Sequence, residues 1–429
     1  MDYKPSKFNV VIELNNNEIL LYNTANTGMC VVSNEIYLQY FRNRQFDKTE
    51  TFFNLVDCGF FVPAEKDELY EQKLLREKAL TSNLDGIYGV TISPTNLCNA
   101  RCHYCYERPL KKRLSMSEET VKNTINFLHK NINVGNKLKI VWHGGEPLLE
   151  HRIITEICKS LSEKNITVES HINTNGLLFN KDIIDNAKDI WHLTHVQITV
   201  DGIEEEYNRI KNYNCTVVNP FQIVMNNIRE LLDNDIEVVI RVNFSYGDTK
   251  KTLDLIHYLD SKFSDSQCFS IYPAPLYGEE EKYEKQSNKE AIHPYLQVLS
   301  PLIEKDYFKY GEKWPLMPRL ITCMSRSCNN FYISPEGKLY LCQHAETYSN
   351  NSFVGDVVNG MTMNNIFKNW CNSDCILKVC DDCVMLPLCQ GGCKSAHEFE
   401  NRTPCINLKP ILKDFIMLTY KTVFKLNNN

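Results

Sequence analysis

The chain has 429 residues, more than the ~100–200 of an average domain, so it is read as several domains. With 43% hydrophobic and 23% charged residues it has the make-up of a folded globular protein, which speaks against a disordered, fibrous or membrane-embedded chain. A formal net charge of −6 gives no cationic field, which speaks against nucleic acid as the main partner.

The first 85 residues read as a small module. Phe8 to Leu14 and Glu18 to Tyr22 flank Asn15-Asn16-Asn17, a hairpin signal. Val10, Ile12, Ile19 and Leu21 are expected to pack inward, which leaves the sheet edge and the nearby helix around Tyr37 and Phe41 as the expected contact surface of the module. Helical periodicity follows in Asn34 to Phe41 and Thr51 to Cys58, then a strand at Phe60-Phe61-Val62. Hairpin, helices and strand in that order suit a winged-helix-like unit, and Glu65 to Lys78 reads as a connecting helix.

From about Tyr88 strands and helices alternate. Expected strands are Tyr88 to Ile92, Leu138 to Trp142, Thr167 to Asn173, His195 to Val200, Glu237 to Asn243 and Phe269 to Tyr272, with helices such as Ser117 to Lys130 and Phe221 to Leu232 between them. Such βα units imply a parallel α/β sheet, and six of them fall short of a closed barrel, so a partial (βα)6 TIM-type barrel is expected. Ligands of such sheets collect at the C-terminal ends of the strands. Past about residue 310 the periodicity fades and cysteines crowd together, the pattern of a small metal-held domain. The domains are therefore drawn at 1–85, 86–310, 311–410 and a tail at 411–429.

The 18 cysteines are the unusual feature. No apolar run reads as a signal core or a membrane span, so a cytoplasmic location is expected, where clustered thiols are metal or iron–sulfur ligands before they are disulfides. The first cluster, Cys98-Asn99-Ala100-Arg101-Cys102-His103-Tyr104-Cys105, follows the first barrel strand. Three thiolates can hold three corners of a [4Fe–4S] cube and leave one iron open. Zinc, with His103 as a fourth ligand, is the alternative.

This array resembles the signature of the radical S-adenosylmethionine (SAM) superfamily, and more than the cysteines match. Gly144-Gly145-Glu146-Pro147 looks like the family's GGEP motif, where the methionyl amino group is bound, although such a sequence also makes a plain turn before a helix. By the same resemblance Asn175, Thr199, Asp201 and Arg241, at the ends of the third, fourth and fifth strands, contact SAM, and Tyr104 lies by the adenine.

The second cluster, Cys380-x2-Cys383-x5-Cys389-x3-Cys393 with Cys405 beyond and Cys323, Cys328, Gly337 and Cys342 before it, is similar to the SPASM pattern of radical SAM peptide-modifying enzymes. That resemblance implies one auxiliary [4Fe–4S] cluster on Cys323, Cys328, Cys342 and Cys393, and another on Cys380, Cys383, Cys389 and Cys405. Two structural zinc cages are the alternative. Cys30, Cys58, Cys158, Cys215, Cys268, Cys371 and Cys375 are read as non-ligands.

The resemblance implies an enzyme that uses SAM, three [4Fe–4S] clusters and a reductant such as flavodoxin or ferredoxin. It would abstract hydrogen with a 5′-deoxyadenosyl radical and modify a ribosomally made precursor peptide by net oxidation, a thioether crosslink being favoured. The front module resembles a leader-peptide recognition element, so a chain beginning near Leu84 is expected to keep its clusters and lose peptide affinity. Carbon–carbon crosslinking is one alternative. Formylglycine formation, as in anaerobic sulfatase maturases, is another, but that family has an aspartate base after the ligand corresponding to Cys342. Here Gln343 and His344 follow, and His344 is the candidate base.

Overall fold

The computed structural model describes residues 2–15, 17–81, 87–108, 110, 113–132, 137–214, 216–276, 293–305, 307, 318, 323, 325, 329–348, 352–371, 378–396, 405 and 409–425. Cys215, Cys328 and Cys375 lie outside them. The chain divides into two compact units, one of residues 1–82, 308–326 and 371–429, the other of 83–307 and 327–370.

In the first unit, β2 (Asn9–Asn15), β3 (Glu18–Asn23) and β4 (Met29–Ser33) form an antiparallel sheet in the order β2-β3-β4, while β1 (Tyr3–Pro5) pairs with β5 (Phe61–Pro63). Helix α1 (Asn34–Tyr37) is capped by Ser33, whose hydroxyl accepts from the Ile36 amide, and α2 (Glu50–Asp57) is capped by Thr49 in the same way. Ile19, Leu21, Val32, Tyr40, Phe52, Leu55, Phe60 and Phe61 form the core, with Val11, Tyr37 and Phe41 packed against it. The expected inward face is therefore half right. Val11 is the partner of Leu21 and Val10 that of Tyr22, so Val10 and Ile12 share the other face from Ile19 and Leu21. The connecting helix is α3 (Glu68–Thr81).

In the second unit, six parallel strands run β6 (Gly89–Thr95), β7 (Lys137–Gly144), β8 (Thr167–Thr174), β9 (Leu193–Thr199), β10 (Glu237–Phe244) and β11 (Phe269–Pro275), each neighbour in sequence a neighbour in space. The crossovers carry α4 (Glu118–Asn131), α5 (His151–Glu163), α6 (Lys181–Asp189), α7 (Glu204–Lys211), α8 (Pro220–Asp233) and α9 (Thr249–Phe263). This is the open, singly wound α/β sheet that the periodicity implies. Burial alternates along β8: Val168, Ser170, Ile172 and Thr174 are buried, while Glu169, His171 and Asn173 are half-exposed. The second set shares a face with Gln197 and Tyr272, which are hydrogen-bonded at 2.7 Å, so that face of the sheet is polar.

The sheet does not stop at β6. Strand β12 (Asn330–Ile333) pairs parallel with β6, and β13 (Lys338–Tyr340), β14 (Gly355–Asp356) and β15 (Gly360–Met361) extend it antiparallel. These strands are only two to four residues long, too short for a period of two to show in the sequence. No described helix is long and apolar enough to cross a membrane.

Candidate active site

The loop from Cys98 to Cys105 leaves the C-terminal end of β6, and the ends of three other elements are bonded to it. The Gly145 amide donates to the Thr95 carbonyl at 3.1 Å, and the Glu146 amide to that of Leu97 at 2.8 Å. This approach is too close for side chains. A Cβ on Gly144 would lie 2.2 Å from the Thr95 carbonyl oxygen, and one on Gly145 would lie 2.2 Å from that of Leu97. Gly144 also has φ +122°, which an L side chain rarely adopts. The glycine pair is thus required where β7 meets the end of β6 and the residues that lead into the cysteine loop.

Glu146 is fully buried. Its carboxylate accepts from the Leu148 amide (3.1 Å), the Thr174 hydroxyl (2.7 Å) and the Asn175 amide (2.8 Å). Burial raises its pKa, and these three bonds and Lys211 work against that. It caps the turn of 3-10 helix begun by buried Pro147 and joins the ends of β7 and β8. Asn175 passes the tie onward: its side-chain amide donates to Asn99 Oδ1 at 2.7 Å, inside the cysteine loop.

A buried polar group holds the loop from the other side. Tyr104 donates its hydroxyl to Asp201 Oδ2 at 2.5 Å, Lys211 Nζ lies 2.9 Å from the same oxygen, and Asn243 donates to Asp201 Oδ1 at 3.1 Å. Both members of the ion pair are buried, with 3% and 2% of their side chains exposed. The Lys211 carbonyl also accepts the Arg101 amide at 2.7 Å. Sequence reasoning missed Lys211. A lysine in the last turn of the acidic helix Glu204–Lys211 reads as a solvated complement to the helix dipole, and only the αL cap at Asn212 marked the place where that helix ends against the loop. Thr199 and Arg241 are register partners on β9 and β10, and Arg241 donates to Asn243 at 2.9 Å.

All three thiols of the loop are half-buried. Burial pushes the Cys98 thiol up to about 12, with Glu146, Cys102 and Cys105 adding to the shift, so the three thiols act on one another. Among the described residues no three His, Cys, Asp or Glu side chains are arranged as ligands of a metal ion. The donor chemistry nonetheless fits a cluster: three mutually interacting thiols on one braced loop, which leave one corner of a cube to a non-protein ligand. A cleft lined by His103 and Tyr104 of the loop together with Asp201, Gly202, Asn243 and Phe244 gives room for such a ligand.

His344 joins a second polar group in this unit. Its ring packs tilted against Tyr106 with centroids 4.2 Å apart, and the Tyr106 hydroxyl lies 3.4 Å from His143 Nε2. Burial lowers the His143 pKa to about 4, so the ring is neutral at pH 7. Burial raises Glu107 to about 7, with Glu346 adding repulsion, and its Oε2 has no hydrogen-bond partner among the described residues.

Ten cysteines lie past residue 310, eight of them in the two expected ligand sets. Burial raises the Cys380 pKa, and Cys389, Cys383 and Cys405 add to it as neighbouring charges. For the other set, Cys323 and Cys393 belong to the first unit and Cys342 to the second.

Residues 92–259 match the family model of the Radical SAM superfamily, so this part of the chain is a radical SAM domain. A 34% identical stretch covers 28% of this chain and 41% of the uncharacterized protein MJ0907 of Methanocaldococcus jannaschii, so the chain spans under half the length of that relative. The GTP 3′,8-cyclase of Clostridium perfringens is 24% identical over 59% of this chain and 79% of its own. The radical SAM cyclopropyl synthase TigE of Paramaledivibacter caminithermalis is 24% identical over 92% of this chain and 90% of its own. A solved structure, native anSMEcpe with bound AdoMet and Cp18Cys peptide, superposes with TM-score 0.58 at 18% identity, covering 80% of this chain and 99% of that one; this likeness concerns the fold.

Proposed function

We propose that the protein is a cytoplasmic peptide-modifying radical SAM enzyme with a SPASM-type C-terminal region, which oxidises a precursor peptide and closes a bond within it. The observation that carries the reading is that Cys383, Cys389 and Cys405 all act on Cys380 as neighbouring charges. Bond formation after hydrogen abstraction leaves one electron and one proton to remove, and a second, fully ligated iron–sulfur centre in the same chain offers the electron an outlet. The structural likeness to an enzyme solved with a peptide supports the substrate class.

Cys98, Cys102 and Cys105 would hold the SAM-binding cluster. Bound there, SAM and the cluster, reduced by a flavodoxin or ferredoxin, supply a 5′-deoxyadenosyl radical that takes a hydrogen atom from an unactivated C–H bond. The protein's own part is to brace the loop through Glu146, Asn175 and the Tyr104–Asp201–Lys211 group, and to take the proton, for which His344 is the candidate. Cys323, Cys328, Cys342 and Cys393 would hold a third cluster. The sheet β2-β3-β4 has edge strands β2 and β4, to either of which a leader peptide could add as a further strand.

For the bond itself, a thioether from a cysteine sulfur to carbon is the first reading. Carbon–carbon closure is the second, favoured by the nearly full-length similarity to a cyclopropyl synthase. Formylglycine formation is the least supported, since Gln343 replaces the aspartate base. The test is to incubate the reconstituted enzyme with SAM, a reductant and a candidate precursor. Release of 5′-deoxyadenosine with loss of two hydrogens from the peptide is expected. A thioether also removes one alkylatable thiol, whereas carbon–carbon closure leaves the thiol count unchanged. Radical release with no change in any peptide offered, but with change in a nucleotide, would overturn the peptide reading.

A further inference from the structure

The four thiols of Cys380, Cys383, Cys389 and Cys405 have an uneven shell. Cys380 and Cys389 are buried, and Cys380 shares an apolar cluster with Phe8 and Leu386, against which Ala25 and Leu69 pack. Cys383 and Cys405 are half-exposed, and on their side Lys409 Nζ donates to Cys405 Sγ at 3.5 Å. The Lys409 charge also acts on Cys383 and Cys380. The carboxylates that follow Cys380 face other cations: Asp381 lies 3.5 Å from Lys73, and Asp382 lies 3.8 Å from Lys7.

We propose that Lys409 is a positioning residue that compensates the charge of an iron–sulfur centre on these four thiolates and holds its reduction potential up. The inference rests on the reading above that the four cysteines ligate an auxiliary [4Fe–4S] cluster. Four thiolates around a doubly positive cube leave a net charge of about −2, and one-electron reduction makes it about −3. A cation at the sulfur, with an N–H···S bond, therefore stabilises the reduced form more than the oxidised form. The apolar wall at Phe8 and Leu386 acts in the opposite sense, because a low-dielectric surrounding penalises the more highly charged state. Lys409 thus offsets the wall and keeps the centre able to accept an electron that leaves the substrate. Its place on the half-exposed side makes that face the natural side for electron exchange.

The test uses the full chain, reconstituted anaerobically with iron and sulfide, and a potentiometric titration followed by electron paramagnetic resonance. Replacing Cys98, Cys102 and Cys105 by Ala in every sample removes the overlapping signal of the SAM-binding cluster. Lys409→Gln is expected to shift one auxiliary signal downward by about fivefold in its reduction equilibrium, ~40 mV for one electron, with iron content unchanged. Lys409→Arg should keep most of the potential. An unchanged potential in Lys409→Gln at full iron content would overturn the proposal. So would loss of about four iron atoms in that variant, which would give Lys409 a holding role and no tuning role. Cys380→Ala with Cys383→Ala separates this failure from that of the underlying reading, since unchanged iron there would mean that the thiols hold no cluster at all.

Discussion

The two thiol-bearing regions are built in opposite ways. Cys98 to Cys105 is a loop on a sheet, its entry held by backbone bonds from Gly145 to Thr95 and Glu146 to Leu97, and the loop itself tied by Asn175 to Asn99 and by Lys211 to Arg101. Cys380 to Cys389 runs through a short 3-10 turn and a four-residue helix, and its apolar support comes from Phe8, at the far end of the chain. The Thr24 hydroxyl bonds the Val384 carbonyl at 2.5 Å, and the Gln390 side-chain amide donates to Gln72 at 3.4 Å. A loop braced by strand ends is in place before any metal arrives. The second region depends on two distant stretches of chain meeting and, under the proposed function, on the metal it would hold.

The largest expected effect is chemical. Replacing Cys98, Cys102 and Cys105 by Ala should abolish SAM cleavage and remove about four iron atoms per chain while leaving the melting temperature of the barrel nearly unchanged, because its braces are hydrogen bonds among other residues. Iron analysis and calorimetry check this. A barrel that unfolds without its cluster would erase the contrast between the two regions.

Lys211→Met comes next. It leaves the Asp201 carboxylate buried without its cation, which costs about 3–5 kcal/mol and, for a unit of this size, lowers Tm by roughly 6–20 °C. Adding Asp201→Asn should recover part of that loss, since the stranded charge is then gone. A double variant no more stable than the single would show that the cost lies in lost packing by the lysine stem.

Phe8→Ala probes the other region. Phe8 is 1% exposed in the cluster with Cys380, and its truncation costs about 3–5 kcal/mol. Iron should then leave the Cys380 set faster under a chelator while the SAM-binding cluster is retained. On the same grounds a chain beginning near Leu84 would lose this support, so the expectation that it keeps every cluster gives way. Leader recognition is better tested by point changes on β2 or β4.

How much was legible follows the same division. Five of the six parallel strands were readable because they bury alternate residues over seven or eight positions, long enough for a period of two to appear, and β6, buried along its whole length, reads as a short apolar run. Cys98, Cys102 and Cys105 could be read as one unit because their short spacing fixes them on one loop. The hairpin face was misassigned because the register, with Val11 opposite Leu21, is set by pairing across the turn and not by either strand alone. Lys211 and Phe8 were missed because their partners lie far off in sequence. Nothing local distinguishes a buried ion pair from an exposed one until the chain has folded.

The smallest effect, and the sharpest on mechanism, is expected from Glu146→Gln. The resemblance assigns this carboxylate to the SAM amino group, yet both its oxygens are engaged by Leu148, Thr174 and Asn175. An amide keeps one acceptor oxygen and turns an NH2 toward a donor, so at least one of these bonds is lost, at a cost of about 1–3 kcal/mol. Asn175 would then shift, and with it Asn99 in the cysteine loop, so SAM affinity should weaken together with stability. Thr174→Val removes one of the same bonds without touching the carboxylate and should reproduce part of both losses. If Glu146→Gln instead weakened SAM binding at unchanged Tm, and Thr174→Val did nothing, the carboxylate would be a direct ligand of the substrate and the brace between β7 and β8 incidental.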